Sequence, residues 1–431
     1  MSHRIERVVG RRVWDSRGRP TVEADIVTAG GPLGRAIAPA GASTGSGEAL
    51  DRRDGGEAFG GMDVRHAVDA VNGPMAEALR GQDVRDQEAL DRILIELDGT
   101  AEKSRLGGNA TIAVSMAAAH AAAGSEGVPL WRWLGGEAVD TLPLPEIQIF
   151  GGGAHAAGRL DIQDFMVVCP GANSFAQALE WTAEIYRAAG GLMKEAGKLA
   201  GVADEGGFWP LFDSNEEALG MLARAIERAG YRPFEQVAIS LDVASTQFGR
   251  DGRYRLARDG RDLDAAGMIE VLKGWIGRYP IVSVEDPLAE DDPQGMQAFM
   301  AALGDRVQVV GDDFLVTEAR RVRTAAEQRQ CDTVLVKPNQ RGTLTEAKAA
   351  WEAAKAAGMG AIVSARSGES EDTTIVHLAV GWGVPQLKVG SFTRSERMAK
   401  WNEGIRVEEQ LGSRARFAGA LPFRDKFAYR T

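Results

Sequence analysis

The sequence predicts an α/β protein in two parts, an α+β domain over residues 1–137 and a (β/α) barrel over 138–431. Three observations predict it. Val- and Ile-rich segments punctuated by glycines open the chain. The proline pair of Leu142-Pro143-Leu144-Pro145 interrupts it. Beyond that pair, short apolar runs, each closed by a polar or charged residue, alternate with helical patterns. Runs apolar throughout read as strands covered on both faces, which favours a closed barrel over an open sheet.

Ile5 to Trp14 and Thr21 to Thr28 read as strands, and Gly30-Gly31-Pro32-Leu33-Gly34 as a turn before Arg35 to Pro39. Ala40 to Gly47 is small and flexible, a surface loop by composition and a candidate lid by function. Val84 to Leu97 places Leu90, Ile93, Leu94 and Leu97 on one helical face, and Asn109 to Gly124 is an alanine-rich helix suited to close packing. The two prolines then predict a linker, with a domain boundary near residue 138.

In the second part, the run before Asp242 is followed by runs ending at Glu285, at Asp312 and at Lys337. Two more lead to Arg366-Ser367 and to Lys388. Most intervals suit one strand, one helix and two loops. Ser214-Asn215-Glu216-Glu217 is a capping box before Ala218 to Ala229, and Thr343 to Ala357 is a helix that stops at Gly358.

The composition, 44% hydrophobic and 26% charged, supplies a full core. A net charge of −11 argues against nucleic-acid binding, which needs a basic face, and no apolar run is long enough to span a membrane. Cys169 and Cys331 cannot build a disulfide framework, and Met1 to Arg12 lacks the apolar core of a signal peptide; both predict a cytoplasmic protein. If the substrate is an anion, an acidic chain must gather basic residues in one cleft or reverse the local sign with a metal.

Barrel strands converge at their C-terminal ends, so Asp242, Glu285 and Asp312 are predicted to meet at one mouth. A single acid after a strand ordinarily caps the next helix. Three in succession, followed by Lys337, point to a site. Facing carboxylates repel unless a cation bridges them, and an all-oxygen set suits Mg²⁺. Lys337 beside such a cation is a candidate base, since burial and positive charge both lower a lysine pKa. The bland alternative is a lysine salt-bridged to one of those acids. Asp204-Glu205-Gly206-Gly207-Phe208 offers an acid on a glycine turn, while His155 and Asp164 add a histidine and a further carboxylate. Arg366, Ser367 and Lys388 are candidates for the phosphate and carboxylate of a small anion.

These segments resemble the enolase family along essentially the whole chain. The resemblance is carried by Asp15-Ser16-Arg17-Gly18, Gly41-Ala42-Ser43-Thr44-Gly45, Asp204-Glu205-Gly206-Gly207-Phe208, Ser283-Val284-Glu285-Asp286-Pro287, Arg366-Ser367-Gly368-Glu369 and Arg394-Ser395-Glu396-Arg397. It implies an N-terminal α+β capping domain, followed by an enolase-type (β/α)8 barrel whose first strands break the simple βα order. It further implies that Asp242, Glu285 and Asp312 hold one Mg²⁺, and that Ser43 of the mobile loop joins a second one with the substrate phosphate. Lys337 would remove the proton at carbon 2 of a small anionic phospho-acid, and Glu205 would assist departure of the hydroxyl at carbon 3. Arg366 and Ser367 would contact phosphate and Lys388 the carboxylate; Asp164 and His155 complete the predicted catalytic set. Arg11, Asp15 and Glu396 lie in segments matching the interface of a homodimer or higher homo-oligomer.

The chain departs from the family pattern at several places. Asp164 stands where the family has glutamate, Ala365 where it has histidine, Ala40 where it has serine, and Thr246-Gln247-Phe248 where it has Ser-Glu-Phe. Three readings follow: a phosphopyruvate hydratase with a tolerant shell; a paralogue whose smaller Asp164 and Ala365 enlarge the pocket for a phosphonate, like carboxyphosphonoenolpyruvate synthase; or an inactive binding protein on the same scaffold. Retention of the three carboxylates and Lys337 speaks against the last.

Overall fold

Strands β1 (Ile5–Trp14), β2 (Pro20–Thr28) and β3 (Leu33–Ile37) pair in order as an antiparallel sheet in a computed structural model, which describes residues 3–423 and 426. The outer ends of both predicted domain ranges lie outside those residues. Helix α1 (Gln87–Asp98) begins where the Asp86 side chain accepts from the Ala89 amide, and ends at Gly99 in the left-handed region. Helix α2 (Gly108–Glu126) is buried on nearly every face, as its alanine content allows. It packs so closely on β3 that a Cβ on Gly34 would lie 2.0 Å from the Ala117 carbonyl oxygen. Gly34 therefore belongs to the strand, not to the predicted turn.

Eight strands close the barrel: β4 (Leu144–Gly151), β5 (Asp164–Val168), β6 (Ala238–Asp242), β7 (Ile281–Glu285), β8 (Gln308–Gly311), β9 (Thr333–Val336), β10 (Gly360–Ser364) and β11 (Gln386–Ser391). The ring runs in that order and closes by pairing β11 with β4 and β6 with β7. The sequence-read run ends are borne out for β6 to β10. The predicted linker is corrected: Leu144 and Pro145 open β4, where proline is tolerated near a strand start.

β5 runs antiparallel to both neighbours, setting Asp164 opposite Asp242. Reversal brings the beginning of β5, rather than its end, to the mouth. Inside the barrel, alternation turns Val310, Leu335 and Ile362 into a small apolar cluster. A polar layer joins Ser283 to Gln308 at 3.0 Å and Gln308 to Gln386 at 2.7 Å. Helices pack outside; Ser214 caps one of them as read from the sequence, and Thr343, read as the first residue of another, is its cap instead. Among the described residues no helix is long and apolar enough to cross a membrane.

Candidate active site

Asp242 and Glu285 terminate β6 and β7, Asp312 and Lys337 follow β8 and β9, Arg366 and Ser367 follow β10, and Lys388 lies in β11. His155 comes from the turn after β4, Glu205 from the turn at 203–207, and Ser43 from the loop that crosses the mouth. Every predicted site residue except Glu285 and Asp312 lines one cavity of about 20 Å³. Glu285 and Asp312 lie directly beside it, bonded to Lys388 and Lys337. Larger clefts lie elsewhere, such as one of 570 Å³ lined by Ser46, Glu290, Phe314 and Arg321, but the acid–base groups do not converge there.

Lys388 Nζ donates to Asp242 Oδ2 and to Glu285 Oε2, each at 2.8 Å, and Lys337 Nζ donates to Asp312 Oδ2. Burial pushes Glu285 well above the usual carboxylate range and Asp242 adds to the rise. Its Oε1 is buried without a hydrogen-bond partner. An orphaned carboxylate oxygen beside two more acids, in an all-oxygen set, fits a hard divalent cation. Among the described residues, Asp242, Glu285 and Asp312 are not a set whose oxygens all lie within 4.8 Å of one another; His155, Asp164 and Glu205 are one such set, and Asp286, Asp312 and Asp313 are another. There Asp286 accepts from the Asp312 and Asp313 amides at 2.9 and 2.8 Å, which fixes the turn carrying Asp312.

Lys337 is held by its acidic neighbours. Burial lowers its pKa, but Asp312 and Glu285 more than offset this, so the ammonium is held above its ordinary value. The salt-bridged arrangement weighed as the bland alternative is present.

His155 Nδ1 lies 2.8 Å from Asp164 Oδ1 and Nε2 lies 3.0 Å from Ser367 Oγ, with Glu205 Oε1 at 3.7 Å. Burial lowers the imidazole pKa, but Asp164 and Glu205 outweigh it and raise the value to about 9. The ring is thus a cation donating from both nitrogens. Burial raises Asp164, yet His155 and Lys388 bring it down to about 2.

The mouth is covered by the 41–47 loop. Arg366 Nη1 donates to Glu48 Oε2 at 2.9 Å and to Asn339 Oδ1 at 3.0 Å, while Nη2 donates to the Ser43 carbonyl at 2.9 Å. The Ser46 amide and hydroxyl each donate to Glu290 at 2.8 Å, and Arg321 donates to the Ser46 carbonyl at 2.7 Å. Gly45 lies against Val316 and Asp313 with no room for a Cβ. Beneath, the fully buried Arg397 donates to the Arg366 carbonyl at 2.6 Å and so supports the turn carrying Arg366 and Ser367. Ala365 is buried in the cavity wall. His155 is bonded to Ser367 beside it, and the cavity they share measures about 20 Å³.

The chain matches the family model described as the enolase N-terminal domain over residues 5–134, and that of the enolase C-terminal TIM barrel domain over 139–426. It is 49% identical over 420 residues to a curated enolase of Rubrobacter xylanophilus, a match covering 97% of this chain and 98% of that one. The chain belongs to the enolase family. Sequence reasoning missed several residues of this enolase site. Glu48, which holds Arg366, gave no signal beyond a charge after a flexible loop. Gln247 was visible as a departure; it accepts from the Ala154 amide at 2.7 Å and donates to Gln163, whose Nε2 donates to Asp242 at 2.9 Å. Gln148, in the strand misread as following a linker, was not singled out.

Proposed function

We propose that this chain is a Mg²⁺-dependent carbon–oxygen lyase that interconverts 2-phosphoglycerate and phosphoenolpyruvate. The observation that carries the reading is the convergence of Lys337 and Glu205 on one buried cavity, with Asp242, Glu285 and Asp312 beside it.

In this mechanism neutral Lys337 takes the proton from carbon 2, and Glu205 supplies a proton to the hydroxyl leaving carbon 3. One C–H and one C–O bond break, a C=C bond forms, and water departs. Asp242, Glu285 and Asp312 would hold Mg²⁺, which would supply positive charge against the charge gathering on the substrate carboxylate; a lysine base with Mg²⁺ is the general pattern at enolase-superfamily sites. Lys388 orients that carboxylate, Arg366 and Ser367 hold the phosphate, and His155, positioned by Asp164, adds a cation beside Ser367. Ser43 closes over the phosphate with the loop. The cavity holds little more than one water, so the loop must open to admit substrate. The division near residue 138 and a homodimeric or higher assembly belong to the same proposal.

The near full-length likeness to a protein named enolase favours this reading over a phosphonate paralogue or an inactive scaffold. The test is ultraviolet detection of phosphoenolpyruvate from 2-phosphoglycerate and Mg²⁺, with Lys337→Ala as control. Formation abolished by the substitution is the expected result. No formation by the wild type, with Mg²⁺ still bound, would overturn it.

A further inference from the structure

Gln148 is completely buried in β4 and makes contacts that fix its amide from both ends. Its Oε1 accepts from the Gly207 amide at 2.8 Å, and its Nε2 donates to Asp164 Oδ1. A main-chain N–H can only donate, and the Asp164 carboxylate, ionised at about 2, can only accept. The side chain therefore has one orientation.

Its surroundings are shaped around it. A Cβ on Gly207 would lie 2.4 Å from Gln148 Oε1 and 2.9 Å from its Cδ. Gly207 is two residues beyond Glu205, and Asp164 Oδ1 is also the oxygen that His155 Nδ1 meets at 2.8 Å. One amide thus joins the turn carrying Glu205 to the carboxylate that orients His155.

We propose that Gln148 is a positioning residue for the hydration reaction, matched in length to Asp164. The inference rests on the proposed hydratase reading for its kinetic consequence. The distance between the Gly207 amide and the His155 ring is set by two backbone positions, and Gln148 and Asp164 span it together. The family pattern has glutamate at position 164. A carboxylate one methylene longer would collide with the Gln148 amide or displace His155, whereas a carboxylate of this length needs an amide that reaches as far as glutamine. Glu205 and His155 are then placed by the sum of two side-chain lengths rather than by either alone.

A length swap tests this. Gln148→Asn leaves a gap and Asp164→Glu an overlap, so each single variant is expected to lower kcat roughly 10- to 100-fold, with KM changed much less, because a shift near 1 Å misaligns the acid. The double variant Gln148→Asn/Asp164→Glu restores the span and is expected to recover kcat to within a few-fold of wild type. A double variant as slow as the two losses combined, or a fully active Gln148→Asn, would overturn the proposal. If Gln148→Asn fails to fold, a folded double variant supports the inference and an unfolded one defeats it. The imidazole NMR titration of His155 is read in parallel. It should fall in each single variant and return in the double one, without reference to any substrate. Were the wild type inactive on 2-phosphoglycerate, the hydratase reading would fail while this titration still decided whether the two lengths are matched.

Discussion

Glu48 holds Arg366 across the mouth of the barrel at 2.9 Å, so the covering loop is tied to the cation proposed for phosphate. Both side chains are buried, at 9% and 3% exposure. Removing one member of such a pair leaves the other charge uncompensated. Glu48→Gln is expected to destabilise the protein by about 3 kcal/mol, moderated by the Asn339 and Ser43 oxygens that remain on Arg366. Thermal unfolding reads the loss, and limited proteolysis should cut residues 41–47 faster. An unchanged melting temperature with an intact loop would show that Ser46 and Glu290 alone keep it closed.

The His155–Asp164 pair predicts a pH dependence. His155 is raised to about 9 from an ordinary value near 6.5. Its contribution to stability is therefore complete below the unfolded value and is lost as pH rises through about 9. Asp164 is lowered to about 2, so its contribution is present above the ordinary carboxylate range and lost as pH falls toward 2. Denaturant melts of wild type should weaken between about pH 6.5 and 9, and His155→Asn should flatten that slope. An identical slope in the variant would refute the assignment.

Gly34 predicts a backbone-level effect. A methyl group there meets the Ala117 carbonyl at 2.0 Å and the Ala121 amide at 2.3 Å, neither of which is a yielding side chain end. Gly34→Ala should cost about 3 kcal/mol or more by forcing β3 away from α2. Calorimetry of the purified variant would measure it, with Gly18→Ala as a comparison of a different kind: space is open there but φ is +69°.

The two thiols should be silent. Burial pushes Cys169 up to about 12 and holds Cys331 well above the usual thiol range. Neither forms a thiolate at neutral pH, so a disulfide reagent should label the native protein slowly and both sites rapidly in denaturant. Fast labelling of the native chain would require an opening motion that reaches them.

Six barrel strands were legible because parallel strands covered on both faces are continuous apolar runs, and each leads to a polar or charged group at the mouth. β4 and β5 were hidden for two different reasons. Leu144 and Pro145 read as linker because proline is a strong breaker, yet its ring costs little near the start of a strand. β5 inverts the rule that revealed the others, since the reversed strand puts its charge, Asp164, first. The metal-type carboxylates and Lys337 could be found by position along the chain. Glu48 and Gln148 could not, and Gln247 showed only as a departure without a role, because their partners lie on segments brought near only by folding. A bond between Lys337 and one of the acids was legible as the alternative to a free base; that the acid is Asp312 was not.

The closure of β11 on β4 also governs when the site can exist. Ser391 donates to the Gln148 carbonyl across 243 positions of chain, and Lys388 reaches Asp242 across 146. During synthesis β4 emerges early and waits with an open edge until nearly the whole polypeptide has been made. Contacts this remote slow folding, and an unpaired apolar edge invites association with other chains. A ribosome that stalls before residue 386 therefore leaves a product with neither Lys388 nor a finished barrel, a substrate for chaperones rather than a weakened enzyme.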